Sequence, residues 1–139
     1  MTPDRIIRVM QGLHLTADLR GCPVDRAVMT EPEALRIACR DAVDAAGLVC
    51  VGELFHRFAP AEGAAVDAPV GITGVVLLAE SHLAVHTWPE IGGVTLDVYV
   101  CNLGTDNSTR AHRLLEALLA TFAPARVERH ALTRGGAAA

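Results

Sequence analysis

Residues 79–90, AESHLAVHTWPE, place carboxylates, hydroxyls and two imidazoles directly after an apolar run. That run, Val75–Ala79, has the composition of a buried strand. Polar groups beside a buried strand add little stability, because each needs a hydrogen-bond partner once it leaves water. The segment therefore indicates chemistry, and its candidate groups are Glu80, Ser81, His82 and His86.

The spacing of the imidazoles raises a metal site as an alternative. His82 and His86 are four residues apart and Glu90 extends the series, a pattern that can bind zinc on a helix. Pro89 breaks a helix at this point and the chain has no HExxH motif, so we expect no metal site. Taken alone, Ser81 is more typical of a turn hydroxyl.

Composition limits the possible partners. The 139 residues suit a single domain, 1–139. The chain is 51% hydrophobic but has no run of about 18 apolar residues, so we expect no membrane partner. A net charge of −4 and few aromatic residues argue against nucleic-acid binding. The start, residues 1–5, lacks an export signal, and the four cysteines form no CxxC pair, so we expect reduced thiols in the cytoplasm.

The periodicity predicts an α+β fold. Apolar alternation and apolar runs indicate strands over 13–19, 48–58, 72–79, 83–87, 94–101 and 126–132. Helical spacing indicates one helix over 31–46, with Thr30 and Glu33 as a capping box and Gly47 after its end. A second helix is predicted from a cap at Asp106 or Ser108 to Phe122, and the tail 135–139 is expected to fray. These elements predict a two-layer α/β sandwich, with a mostly antiparallel sheet and both helices on one face.

Several of these motifs together resemble a known family. The motifs are Phe55-His56-Arg57-Phe58, Glu80-Ser81-His82 and His86-Thr87-Trp88-Pro89-Glu90, followed by Asp97 and Cys101. In this combination the chain resembles the small bacterial and archaeal S-adenosylmethionine decarboxylases, which are pyruvoyl enzymes. The resemblance extends over about residues 13–135.

The resemblance implies that the chain cuts itself at Glu80–Ser81, giving fragments 1–80 and 81–139. The serine oxygen attacks the preceding carbonyl to form an ester, and elimination leaves a dehydroalanine that hydrolyses to a covalent pyruvoyl group. A hydroxyl is a weak nucleophile, so this step needs a base. By position in the family, His86 is that base and Thr73 assists it.

The resemblance also implies the catalytic roles. The pyruvoyl group forms a Schiff base with the substrate amine and withdraws electrons as CO2 leaves, and Cys101 is the proton donor. Phe58 stacks on adenine and Glu90 binds the ribose hydroxyls. The product is the aminopropyl donor for spermidine and other polyamines. The family pattern is a homodimer formed through or beside the sheet.

Departures from the family pattern leave alternatives open. Gly92-Gly93-Val94 replaces a stretch that usually carries an aromatic, Asn102 replaces a frequent glycine, and loop 59–69 is longer. These changes leave room for a pyruvoyl-dependent arginine or ornithine decarboxylase of the same fold. A third hypothesis is a non-catalytic homologue, which the joint presence of Glu80, Ser81, His86 and Cys101 disfavours. The sequence leaves open whether the site or a subunit contact is supported by His14, Asp18, His56, Arg57 and His82.

Overall fold

A computed structural model of the chain describes residues 10–135. Within this range six strands form one sheet, in which every neighbouring pair is antiparallel. The strands are β1 (Gly12–Arg20), β2 (Cys50–Arg57), β3 (Ile72–Leu78), β4 (Ser81–Trp88), β5 (Gly93–Cys101) and β6 (Arg126–Arg134). Their order across the sheet is β2-β3-β4-β5-β1-β6.

Two helices, α1 (Pro32–Ala45) and α2 (Ser108–Phe122), pack against each other and against one face of this sheet. Their apolar stripes are fully buried, as Leu35 on α1 and Leu118 on α2 illustrate. The predicted α+β class, the antiparallel sheet and the two helices on one face are therefore confirmed. No helix within residues 10–135 is long and apolar enough to span a membrane.

The predicted capping box at the start of α1 is wrong. The N-cap residue is Glu31 rather than Thr30, and no side chain caps the helix. Pro32, with its fixed φ, takes the first helical position and moves the start by one residue. Glu33 pairs with Arg36 instead, and that hydrogen bond, followed by the charge of Arg36, lowers the pKa of the Glu33 carboxyl.

The end of α1 is as predicted. Gly47 adopts a left-handed φ of 79°. Its N–H donates to the carbonyl of Asp44, and the next N–H, of Leu48, donates to the carbonyl of Val43. These two bonds close the helix in a Schellman motif, which leads the chain directly into β2.

The two faces of the sheet differ in chemistry. Alternate residues such as Leu15, Val85 and Val98 point to the helices and are at most 2% exposed. The residues between them face away from the helices, on what we call the open face. The open face carries half-buried polar and aromatic side chains instead of an apolar core: His14, Thr73, His82, His86, Trp88, Thr95, Asp97 and Tyr99.

The ends of the chain, residues 1–9 and 136–139, lie outside the described residues. The segment predicted to lack an export signal and most of the tail predicted to fray belong to these ends. The loop predicted at 59–69 lies in the segment between β2 and β3, which the Phe58 N–H closes by donating to the carbonyl of Gly71 at 2.9 Å.

Candidate active site

The Glu80–Ser81 bond lies in the tight connection between β3 and β4. Leu78 pairs with Ser81, so only Ala79 and Glu80 join the two strands. Glu80 has a φ of 56°, in the left-handed region that non-glycine residues avoid. Both connecting residues are exposed, so the predicted scissile bond is accessible at the edge of the fold.

Ser81 is held by a long-range backbone contact. Its Oγ accepts a hydrogen bond from the N–H of Cys101 at 3.0 Å. Since Oγ is the acceptor in this bond, its own proton remains available to a base. The structure thus brings together two of the predicted site residues, Ser81 and Cys101, at what we call the cleavage end of the sheet (Glu80, Ser81 and Cys101).

Two asparagines position Cys101, and sequence reasoning did not assign them this role. The side-chain amide of Asn107 donates to the Cys101 carbonyl at 2.8 Å. The backbone N–H of Asn107 in turn donates to the side-chain oxygen of Asn102 at 2.8 Å. Asn102 is one of the departures from the family pattern, and the structure gives it this bracing contact. The Cys101 Sγ also accepts a long bond of 3.5 Å from the Leu103 N–H.

An open pocket of about 700 Å³ lies beside Ser81 on the open face. His82 stacks on the Tyr99 ring, with centroids 5.7 Å apart, and the Arg134 guanidinium lies 5.5 Å from the same ring. Next to them, His14 Nε2 and Asp97 Oδ1 are 3.0 Å apart. The structure therefore places His14 and His82, whose roles the sequence left open, close to the cleavage end.

His86 lies at the other end of β4. Its Nδ1 is 3.0 Å from the Thr73 Oγ1, and the two residues are direct partners in the β3–β4 register. The predicted base and its predicted helper therefore meet. From Ser81, however, His86 is five residues along an extended strand, about 16 Å, so the chain by itself does not bring this base to this nucleophile.

The buried Thr87 fixes the backbone beside His86. Its side chain is 0% exposed, and its Oγ1 donates to the Met29 carbonyl at 2.8 Å and accepts from the Ile72 N–H at 2.9 Å. A buried hydroxyl needs partners, and here these tie β4 to β3 and to the segment before α1. The sequence contained Thr87 within its motif without indicating this role.

The predicted substrate-binding residues share a pocket near His86. Phe58 and Glu90 line a cavity of about 330 Å³, together with alanines of loop 59–69. The His56 ring, whose residue pairs with Thr73 across the sheet, lies 6.4 Å from the Phe58 ring. We call this region, with Thr73, His86, Phe58 and Glu90, the histidine end of the sheet.

The residues whose spacing suggested a zinc site do not lie close together in the structure. His82 and His86 lie on one strand, where four residues span about 13 Å, too far to share a metal ion. Within residues 10–135, no group of three or more His, Cys, Asp or Glu side chains could hold a metal.

Of the other cysteines, Cys22 and Cys39 are buried and Cys50 is half-buried. Burial raises the pKa of the Cys22 thiol, and burial followed by the charge of Glu53 raises that of Cys39 to about 12. Cys50 donates to the Gly52 carbonyl. All four cysteines of the chain are free.

The fold matches that of a solved enzyme structure. The crystal structure of the adenosylmethionine decarboxylase from Aquifex aeolicus superposes with a TM-score of 0.78 and 32% sequence identity. The match covers 94% of this chain and 95% of that one.

Sequence comparison gives the same result. Residues 13–135 match the family model described as S-adenosylmethionine decarboxylase. Proteins named S-adenosylmethionine decarboxylase proenzyme are similar over 89% of this chain: 36% identical in Aquifex aeolicus, 33% in Archaeoglobus fulgidus and 37% in Persephonella marina. The matches cover 81%, 97% and 82% of those relatives, respectively. This chain belongs to the S-adenosylmethionine decarboxylase family, a family of pyruvoyl-dependent carboxy-lyases, as its motifs indicated.

Proposed function

We propose that this protein is an S-adenosylmethionine decarboxylase, made as a proenzyme that cleaves its own Glu80–Ser81 bond. The observation that carries the proposal is the Ser81 hydroxyl, held by the Cys101 N–H directly after an exposed hairpin, in a chain of this family. Its product would be the aminopropyl donor of polyamine synthesis. The relatives' names favour this substrate over arginine or ornithine.

Cleavage begins with the Ser81 hydroxyl. Its oxygen attacks the Glu80 carbonyl carbon, the peptide C–N bond breaks, and the hydroxyl proton ends on the released nitrogen. Elimination across the ester leaves Glu80 as a carboxylate and residue 81 as dehydroalanine. Hydrolysis then releases ammonia and leaves a pyruvoyl group at the start of fragment 81–139.

The surroundings of Ser81 fit such a group and its substrate. The pocket beside Ser81 has a volume of about 700 Å³, within the usual range of small-molecule sites. A pyruvoyl group supplies an electron sink for the carbanion that forms when CO2 departs. Cys101, at the same end, is the residue we assign to return a proton to the substrate carbon.

The remaining site residues lie at the histidine end, which leads us to propose a homodimer. Helices cover one face of the sheet and leave the open face bare. Two copies related by a twofold axis, with their open faces together and their β4 strands antiparallel, would place the Ser81 of each copy near the partner's His86. Each of the two sites would then combine the cleavage end of one copy with the histidine end of the other.

This arrangement gives each residue of the histidine end a task. His86, oriented by Thr73, accepts the Ser81 proton from across the interface. Phe58 offers an aromatic face to the adenine and Glu90 a carboxylate to the ribose hydroxyls, both within one cavity. An aromatic face also attracts the sulfonium cation, which Phe58 or Trp88 could supply. The free thiols of the chain fit the reducing cytoplasm we propose for the enzyme.

Two measurements test the proposal together. Intact mass of freshly made protein should change from one full-length species to fragments 1–80 and 81–139, with the second carrying the pyruvoyl terminus. Release of CO2 should then occur with S-adenosylmethionine and be far slower with arginine or ornithine. Protein that stays full-length on long incubation would exclude self-cleavage, and equal or faster release from a basic amino acid would reassign the substrate.

A further inference from the structure

Glu80, the residue before the predicted cleavage point, has an unfavourable backbone conformation. Its φ is 56°, and among residues 10–135 Ala123 is the only other non-glycine with a positive φ. At six further positions where the described backbone turns left-handed, the chain uses glycine. The scissile position therefore departs from a rule that this chain otherwise follows at turns.

Side-chain contacts do not compensate for this conformation. Glu80 is exposed, and its carboxylate makes no hydrogen bond or ion pair to another described residue. Ala123, by contrast, lies just past α2, where its N–H donates to the Leu119 carbonyl at 2.9 Å and closes the helix. A left-handed residue at a helix end serves as a cap. The left-handed conformation of Glu80 serves only to keep the β3–β4 connection short.

The surrounding contacts prevent the turn from relaxing. Leu78 and Ser81 pair directly across the hairpin, so the connection has just two residues. The Ser81 Oγ is also tied to the Cys101 N–H of the neighbouring strand at 3.0 Å. Both ends of the connection are thus fixed in the sheet, and the conformational strain stays on Glu80.

We propose that the left-handed backbone of Glu80 promotes self-cleavage, because forming the ester releases its strain. The inference rests on the proposed function. When Ser81 Oγ replaces the Ser81 nitrogen on the Glu80 carbonyl carbon, the path from that carbon to the Ser81 Cα runs through Oγ and Cβ. The connection becomes one atom longer, and the tight turn no longer requires a positive φ at Glu80.

The size of the effect follows from the strain. A left-handed non-glycine residue raises the ester-to-amide ratio roughly 5- to 30-fold, which corresponds to about 1–2 kcal/mol. Elimination draws on the ester, so the cleavage rate rises with the fraction of chain in that form. Glu80 is on this account a positioning residue, which acts through its backbone and not through its carboxylate.

The test compares Glu80→Gly with Glu80→Ala. Both variants lack the carboxylate, but only glycine adopts the left-handed conformation without strain. We expect Glu80→Gly to cleave roughly 5- to 30-fold more slowly than Glu80→Ala, measured by intact mass against time. Hydroxylamine, which cuts an ester faster than an amide, should trap correspondingly less ester in Glu80→Gly.

Ala79→Gly is the matched control. It adds the same flexibility to the same turn, but Ala79 has no positive φ in the structure and so no left-handed strain to lose. It should cleave faster than Glu80→Gly. Unfolding is measured in a Ser81→Ala background, which removes the predicted nucleophile. There, Glu80→Gly should have a higher unfolding midpoint than Glu80→Ala. Ala79→Gly should have a lower midpoint than the Ser81→Ala parent.

The possible outcomes separate this inference from the proposed function. Equal cleavage rates in Glu80→Gly and Glu80→Ala, or a faster glycine variant, would overturn the role of strain while leaving self-cleavage intact. An unchanged or lower midpoint for Glu80→Gly in the Ser81→Ala background would also overturn it. A wild-type chain that never cleaves would instead refute the proposed function.

Discussion

The two ends of the sheet hold their reactive groups in different ways. At the cleavage end, the Ser81 hydroxyl is held by a backbone N–H of β5, and Cys101 is braced through Asn107. At the histidine end, His86 is held by the side chain of Thr73 and through the backbone of its buried neighbour Thr87. One end carries the predicted nucleophile and the Cys101 thiol, and the other carries the predicted base His86 and the adenosine-binding candidates.

Under the proposed roles, this difference would leave the site of a single chain incomplete. An extended strand separates its residues by about 3.3 Å each, so two groups five residues apart on β4 cannot meet by local folding. The same sheet that holds each group firmly also keeps the two groups apart. The proposed division of the site between two copies would resolve this conflict without disturbing either end.

The largest expected effect comes from mixing two defective chains. Ser81→Ala has no nucleophile and His86→Ala has no base, so neither should cleave alone at an appreciable rate. In the proposed dimer, one copy of each variant would place the intact Ser81 opposite the intact His86. With equal amounts and random pairing, about half of the His86→Ala chains should be cleaved, as read by intact mass.

The mixing experiment also has an outcome that would contradict a site shared between two copies. If His86 served the Ser81 of its own chain, the mixed sample would remain full-length. Mixing Ser81→Ala with a Ser81→Ala/His86→Ala double variant provides the control, because no pairing in that mixture contains an intact Ser81.

A thiol substitution at the cleavage end should affect turnover more than cleavage. Cys101→Ala keeps the backbone N–H that holds Ser81, so fragments 1–80 and 81–139 should still form. Loss of the proton donor should lower CO2 release about 100-fold or more. Protonation on the pyruvoyl carbon should inactivate the variant by transamination, which mass spectrometry of the 81–139 fragment detects.

The matched control for this thiol is Cys50→Ala, which removes a half-buried thiol on β2, two strands from Ser81, whose Sγ donates to the Gly52 carbonyl. It should cleave and turn over like the wild type. Normal turnover and lifetime in Cys101→Ala would remove Cys101 from the proton-donor role.

The smallest effect should follow from loss of the Thr73 hydroxyl. Thr73→Val keeps the shape of the side chain but removes the hydroxyl that is hydrogen-bonded to His86 Nδ1. A hydrogen bond of this kind contributes about 0.5–1.5 kcal/mol. Cleavage should slow roughly 2- to 12-fold, measured by intact mass against time. Thr95→Val is the comparison, because Thr95 pairs with His86 from the β5 side but makes no side-chain hydrogen bond to it. If both variants slowed equally, Thr73 would contribute packing and not orientation.

Local patterns in the sequence predicted most of the fold. Alternation in 13–19 and 94–101 matched β1 and β5, because one buried face repeats every second residue. Gly47 predicted the end of α1 correctly, since a left-handed residue there strongly favours glycine. The Thr30 cap was wrong because Pro32 decided where the helix begins.

Residues of the site were harder to place. The motifs predicted roles for Ser81, His86, Phe58 and Glu90, but nothing local indicated that Asn107 supports the Cys101 carbonyl. Such contacts join segments that are distant or differently structured, and they form only when the loop after β5 meets the start of α2.

By itself, the sequence determined which groups are present, which segments are strands and where the hairpin with the Glu80–Ser81 bond falls. These are properties of neighbouring residues, and neighbours determine backbone preference and the alternation of buried positions. Only the tertiary structure decided that Thr73 meets His86, that Cys101 meets Ser81, and that His86 and Ser81 stay apart on one strand. Such pairings depend on strand register, which is set when the whole sheet buries one face against the helices.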